Sequence, residues 1–597
     1  MWFVYNRTPA FWRLFDVLAQ HEKGFAMHTI LGPDRETFDS AAGSVRTPAH
    51  RSPWMAPAIA LSALLLCVSA THATDPLPRV VSPRVLIVGG GPNLQNNQVA
   101  IESNVRYVGK LLPRDTPRIT LFADGNINNS TVLYDDSTHA PAGDRVFGLI
   151  MHGADAGDGT GGHYRKPKLG AKLDGASKKP EIQKAFSQLA TDADDPKRPV
   201  MLYFTGHGSR NGNDLENNLY DLWGGHEGIT VRELSREIAR LPEDTPVSIV
   251  MVQCFSGAFG NLIFENGDPQ GEPVKRDIAG FFATVKERVA AGCTSAVNEE
   301  DYHDFTSYFF AALTGLDRVG RRVSGADYNG DGRVGMDEAY CYTLIHDDSI
   351  DVPVCTSDVF LRRFVPVKDA ELFQTPYGSA LSWATPAQRA ALEELSAALN
   401  KHGDDRLNVS YERMMREMSG VPAWRTAMRE AGQRFESLRR EAKRSLTGRW
   451  PDLRRPGTDD YKQAEKDAVA QLTREAADGK WKDLLDASDA VDRADLDGEA
   501  QEIAASRNLR FVRLGKSVII GHWLKDHGTP ELKARFARLA AAEAQTPIPP
   551  YGQAGQRAAT SFSRPMRALA QPRIPAGRSN SCCTWNNSPI VRDPRAD

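Results

Sequence analysis

Two stretches decide the fold: Val200-Met-Leu-Tyr-Phe-Thr-Gly-His-Gly-Ser209 and Val247-Ser-Ile-Val-Met-Val-Gln-Cys-Phe-Ser-Gly257. Each is a mostly apolar run, rich in β-branched and aromatic residues, that leads into a reactive side chain, His207 between two glycines and Cys254 three residues ahead of Gly257. Such runs form strands buried on both faces, which is the pattern of a parallel sheet covered by helices. Working outward, runs of the same kind occur at Arg84–Val88, Arg118–Phe122 and about Arg288–Thr294. Between the two deciding strands, Thr230-Val-Arg-Glu233 is a capping box that opens a helix through Arg240. The stretch from 199 to 253 is therefore one strand–helix–strand crossover, and the expected class is α/β with a mostly parallel sheet.

The rest of the chain brackets this core. The 597 residues carry 73 Lys and Arg against 76 Asp and Glu, with 41% hydrophobic and 25% charged residues. That balance excludes wholesale disorder and argues against a dedicated nucleic-acid binder, which needs a strongly basic domain. Seven cysteines in this length are too few for a disulfide scaffold. The reading divides the chain into an upstream extension 1–54, a signal peptide 55–73, an α/β domain 80–378, an α-helical region 383–545 and a disordered basic tail 546–597. The signal segment runs from Met55 and closes on the small residues Thr71 and Ala73, which implies a secreted or periplasmic protein. Its apolar run is shorter than the roughly 20 residues that a membrane span requires. The helical region is a candidate surface for a partner. Cys341 and Cys355 lie close enough in sequence to close a small loop in an oxidising compartment, or to stand as two buried thiols.

His207 and Cys254 each follow the carboxyl end of a buried strand, where open α/β sheets place their ligand sites. A thiol becomes a nucleophile when a nearby base favours its thiolate, and an imidazole on the adjacent strand supplies that base. Gly208 lets its backbone N–H approach a substrate carbonyl, and with the N–H of Cys254 it would form an oxyanion hole.

Phe204-Thr-Gly-His-Gly-Ser209 with Val252-Gln-Cys-Phe-Ser-Gly257 resembles the His-Gly and Cys blocks of the caspase-like cysteine peptidases, nearest to bacterial legumain-type members. The resemblance covers about residues 84–365. It implies an α/β/α sandwich and a cysteine endopeptidase that cleaves peptide or protein substrates through a thioester acyl-enzyme. In that reading His207 is general base and acid, Cys254 the nucleophile and Gly208 an oxyanion donor. Two departures stand out: Gln253 occupies a place where legumains usually carry Ala, and Asn96-Asn97-Gln98 stands where the family has an Arg-His pair. The family lines its first-site pocket after the fifth strand, where this chain offers Glu299, Glu300 and Asp301 to a basic side chain. The other reading of the same fold is a catalytically silent calcium-binding scaffold.

Asp327-Tyr-Asn-Gly-Asp-Gly-Arg-Val-Gly-Met-Asp-Glu338 fills a twelve-position calcium loop. Asp327, Asn329 and Asp331 stand at positions 1, 3 and 5, Gly332 at the sharp turn, Arg333 at position 7 and Glu338 at position 12. A structural Ca²⁺ is expected there, with no organic cofactor.

Overall fold

The computed structural model describes residues 82–550, apart from 136–140, 154–162, 170–172, 192–196, 226, 420–421 and 456–457. The signal segment, the upstream extension and the tail beyond 550 lie outside the described residues.

Six strands form the main sheet: β1 (Arg84–Gly90), β2 (Arg118–Phe122), β3 (Val200–Gly206), β4 (Val247–Met251), β5 (Ile278–Phe282) and β6 (Val354–Cys355). Their order is β6-β5-β4-β3-β1-β2, and only β6 runs antiparallel to its neighbour. Because side chains alternate along a strand, each contributes to two separate cores. Leu86, Val88, Leu202, Phe204, Ile249 and Met251 face one cluster. Val85, Ile87, Met201, Tyr203 and Val250 face the other.

Helices α1 (Val99–Leu111), α2 (Lys179–Thr191), α3 (Val231–Ala239), α4 (Phe305–Thr314), α5 (Met336–His346) and α6 (Thr356–Phe364) cover these faces. Ile182, Phe186, Leu234 and Phe360 of α2, α3 and α6 fill the first core. Ile101, Val105, Phe305 and Phe309 of α1 and α4 fill the second. Helix α3 begins with the expected capping box, in which Thr230 Oγ1 accepts from Glu233 N–H at 3.2 Å while Glu233 Oε2 accepts from Thr230 N–H at 2.9 Å. A cap of this kind is worth about 1 kcal/mol.

The fifth strand differs from expectation. It lies at Ile278-Ala-Gly-Phe-Phe282, paired with β4 through Ile278↔Val247, and not at 288–294. The later stretch has only Val-Ala-Ala between Arg288 and Gly292, and Gly292 adopts φ +111°, which ends any extended run.

C-terminal to the sandwich, ten-residue and longer helices run from Pro386 to Glu543, including α7 (Lys482–His527) and α8 (Pro530–Glu543). Phe511, Val512, Val518 and Ile519 of α7 enter the same core as β3 and β4. The helical region thus packs directly on the α/β layers. Thr546 and Ile548, assigned from sequence to the tail, are docked: Thr546 Oγ1 binds Val334 O at 3.0 Å and Ile548 is fully buried. Cys341 and Cys355 are buried thiols and form no bridge. Among the described residues no helix is long and apolar enough to cross a membrane.

Candidate active site

Strands β3 and β4 are parallel neighbours with Phe204 opposite Met251. His207 and Cys254 each stand three residues beyond that pair, so the backbone brings them to one level at the carboxyl edge of the sheet. Val252 N–H continues the ladder onto Phe204 O at 3.1 Å. Gly208 is in contact with the cysteine: a Cβ built there would fall 2.3 Å from Cys254 O and 2.6 Å from Gln253 Cγ. Glycine is therefore required at 208 by the close approach of the two strand ends. The second-block glycine has the same explanation, since a Cβ on Gly257 would meet Lys286 N at 2.7 Å and Thr284 O at 2.8 Å.

Cys254 sits in a tight strand-to-helix turn. Phe255 behind it holds a left-handed φ of +59°, a conformation that costs a non-glycine residue about 1 kcal/mol or more and persists only under external restraint. That restraint includes Phe255 N–H on Arg288 O at 2.8 Å and the Arg210 guanidinium over the Phe255 ring at 5.2 Å.

His207 is 2% exposed, as is Cys254. Its Nε2 lies 3.0 Å from Gln98 Oε1. Burial lowers the imidazole, but a hydrogen bond and charge from Cys293, with Asp221 behind, outweigh burial and hold it above the ordinary histidine value. Asp221 is anchored by Ser209 Oγ at 2.8 Å, and its N–H binds His207 O at 3.0 Å. Cys293 also reaches Gly206 O at 3.8 Å. Burial pushes the Cys293 thiol up despite its pairing with His207, and the nearby Cys254 adds to the rise.

Sequence reasoning passed over Cys293 and Gln98. Cys293 lies inside the segment whose apolar run predicts a fifth strand, and Gln98 inside the departure Asn96-Asn97-Gln98. The signal for Gln98 lay in that trio: Asn97 is fully buried, takes Gly91 N–H on Oδ1 at 3.0 Å and gives Nδ2–H to Thr131 O at 2.8 Å, fixing the loop that delivers Gln98.

Glu299, Glu300 and Asp301 form a short turn ahead of α4. Glu299 pairs with Arg106 and Glu300 with Arg321, while Asp301 Oδ2 accepts Asn298 Nδ2–H at 2.7 Å. A basic substrate side chain would have to displace arginines that already hold the two glutamates. Behind the end of β3, Asn104 Nδ2 binds Thr205 Oγ1 and Asp304 Oδ2, both at 3.1 Å, and Arg318 closes the buried network on Asp304 at 3.3 Å. A recess at the opposite end of the sheet, lined by Arg84, Pro117, Arg118 and Leu189, holds none of this chemistry.

The loop 327–338 adopts the turn its glycines require, with φ of +75° at Gly330 and +85° at Gly332. Asp327 accepts the N–H groups of Gly330 and Gly332 at 2.8 and 2.9 Å, Asn329 that of Asp331, and Asp331 that of Arg333. Glu338 opens α5 and accepts from Tyr328, Asn329 and Gly335 N–H at 2.8 to 3.0 Å. The donor set, all oxygen and in the right register, fits a hard cation. Among the described residues no group of three or more His, Cys, Asp or Glu is placed to hold a metal ion. Comparison with known proteins adds no relative: no family model matches the chain, and no curated protein does.

Proposed function

We propose that the chain is a secreted or periplasmic caspase-like cysteine endopeptidase. One observation carries this reading: parallel strands bring His207 and Cys254 to the same level at the sheet edge, with Gly208 pressed against the cysteine backbone. In the proposed cycle His207 takes the Cys254 proton and the thiolate attacks the peptide carbonyl carbon. The N–H groups of Gly208 and Cys254 receive the negative oxygen. His207 then protonates the leaving amine as the C–N bond breaks, leaving a thioester on Cys254. A water, deprotonated by His207, cleaves the thioester and the proton returns to sulfur.

Asp327, Asn329, Asp331, the Arg333 carbonyl and Glu338 would hold a Ca²⁺ ion, which supplies positive charge that offsets repulsion among the three carboxylates. No ligand position overlaps the dyad, so the ion's role is structural. The second reading, a silent calcium-binding scaffold, draws on the closure of the site, where both dyad side chains are 2% exposed. Thiol-reactive peptidyl probes carrying Arg, Lys, Asn or Asp at the first site, applied with calcium present, separate the two. A covalent adduct on Cys254 from any of them supports the peptidase, and none from all four supports the scaffold.

A further inference from the structure

The loop that follows β5 crosses the thiol. Ala290 donates its backbone N–H to Cys254 Sγ at 3.3 Å. A donor on sulfur favours the thiolate, and such a bond strengthens when the acceptor carries charge. The same loop is tied to the long helix α7 by two routes. Arg288 reaches across to Ser506 Oγ at 3.0 Å and Glu502 Oε2 at 3.3 Å. The next residue but two, Ala291, gives its N–H to Asp351 Oδ1 at 2.7 Å. Asp351 in turn belongs to a turn gripped by Arg510 of α7, which donates to Asp351 O at 2.7 Å, Ser349 O at 2.9 Å and Asp347 O.

Arg510 is 1% exposed, with the Asp347 carboxylate 3.6 Å away. A buried cation is costly unless its donors are answered, and the planar guanidinium spreads its donors in fixed directions onto three separate carbonyls, a geometry the compact ammonium of lysine does not reproduce. We infer that Arg510 is a positioning residue for Cys254: it fixes the 347–351 turn, which holds Asp351 on Ala291 N–H and so keeps Ala290 N–H on the nucleophilic sulfur. The helical region is then part of the catalytic unit. This rests on the reading of Cys254 as the nucleophile.

The test follows alkylation of Cys254 in the full-length chain by iodoacetamide between pH 5 and 9, read on the Cys254 peptide by mass spectrometry. The titratable groups around this thiol are His207 from β3 and Cys293 from the crossing loop, with Asp221 and Asp304 behind them. None of these is altered in the variants. Arg510→Lys and Arg288→Gln are expected to slow Cys254 alkylation at neutral pH roughly tenfold and to move its profile to higher pH, the loss of one well-placed bond to a charged group. Asp351→Asn keeps the Oδ1 acceptor and is expected to keep the parent profile; its Oδ2 has no hydrogen-bond partner to lose. Folded Arg510→Lys or Arg288→Gln protein with the parent profile overturns the inference. Should Arg510→Lys fail to fold, Asp351→Ala, which removes the acceptor of Ala291 N–H on the same path, decides: a shifted profile supports the inference and the parent profile overturns it. The outcome separates from the proposed function: a shifted profile without peptidase activity removes the enzyme and keeps the positioning, and activity with an unshifted profile does the reverse.

Discussion

Gly208→Ala adds one methyl group where the ends of β3 and β4 meet. The new Cβ would lie 2.3 Å from Cys254 O, 2.6 Å from Gln253 Cγ and 3.1 Å from Leu219 O. Real Cβ atoms essentially never come within 3.0 Å of another heavy atom, so the Cys254 carbonyl must retreat by about 0.7 Å to reach even that limit. The backbone at 208 is not left-handed, so the contact alone is the cause. Overpacking of this kind costs roughly 1–3 kcal/mol, which lowers the melting temperature while leaving a folded chain. A displacement approaching 1 Å at the proposed nucleophile would cost on the order of a hundredfold in rate. The loss of activity should therefore exceed what the loss of stability explains. Peptide hydrolysis and peptidyl-probe labelling at a temperature well below the transition, beside calorimetry, measure both. Gly448→Ala is the control, because nothing lies within 4 Å of its Cβ and it sits in a regular helix. Gly208→Ala protein that labels and hydrolyses at the parental rate would refute the proposed packing of the site.

Glu543 is buried and accepts from Thr356 Oγ1 and Ser357 N–H, each at 2.7 Å, yet burial outweighs these bonds and pushes its carboxyl from 4.5 up to about 7. A raised carboxyl contributes stability that is fully present below its unfolded value and is lost as pH rises through 7, roughly 3 kcal/mol in all. Glu543→Gln should therefore be more stable than the parent at pH 8 and little different at pH 4, and parallel denaturation curves at both pH values would end this argument. Glu338→Ala should lower the melting temperature and abolish its calcium dependence, which in the parent amounts to on the order of 3–4 kcal/mol when calcium exceeds its dissociation constant a hundred- to a thousandfold. A parent that melts identically in calcium and in chelator would show an unmetallated turn. Gln98→Leu removes the 3.0 Å partner of His207 Nε2 and should cut turnover about tenfold with the fold retained; unchanged turnover would make Gln98 incidental.

Sequence alone was informative where local chemistry and burial agree. Strands β1 to β4 are continuous apolar runs, and the Thr230 box and the exit helix of the calcium loop carry their own start signals. The fifth strand escaped because Gly280 interrupts a run of only five residues, and the tempting Val-Ala-Ala farther on is a loop held by others. The crossover length permits two parallel neighbouring strands, so a shared sheet edge for His207 and Cys254 was legible, while the register that levels them is the pairing of Phe204 with Met251. Cys293 and Gln98 were not, because each reaches His207 from a loop whose path depends on distant anchors, Asp351 on Ala291 N–H and Thr131 O on the Asn97 side chain. The tie between α7 and the thiol was equally hidden: Arg510 lies 256 positions (510 − 254) beyond Cys254, and nothing in its local sequence marks it as buried. Glu299 and Glu300 show the converse case, where a suggestive acidic cluster is already matched by Arg106 and Arg321.

The central claim, peptide-bond cleavage by the Cys254 thiolate, is tested most directly by incubating the chain with a mixed peptide library in calcium and mapping the cuts by mass spectrometry. Cuts clustered after one residue type are expected from the parent, and none from Cys254→Ala protein of the same melting temperature. No cuts by the parent, or the same cuts by both proteins, would contradict it.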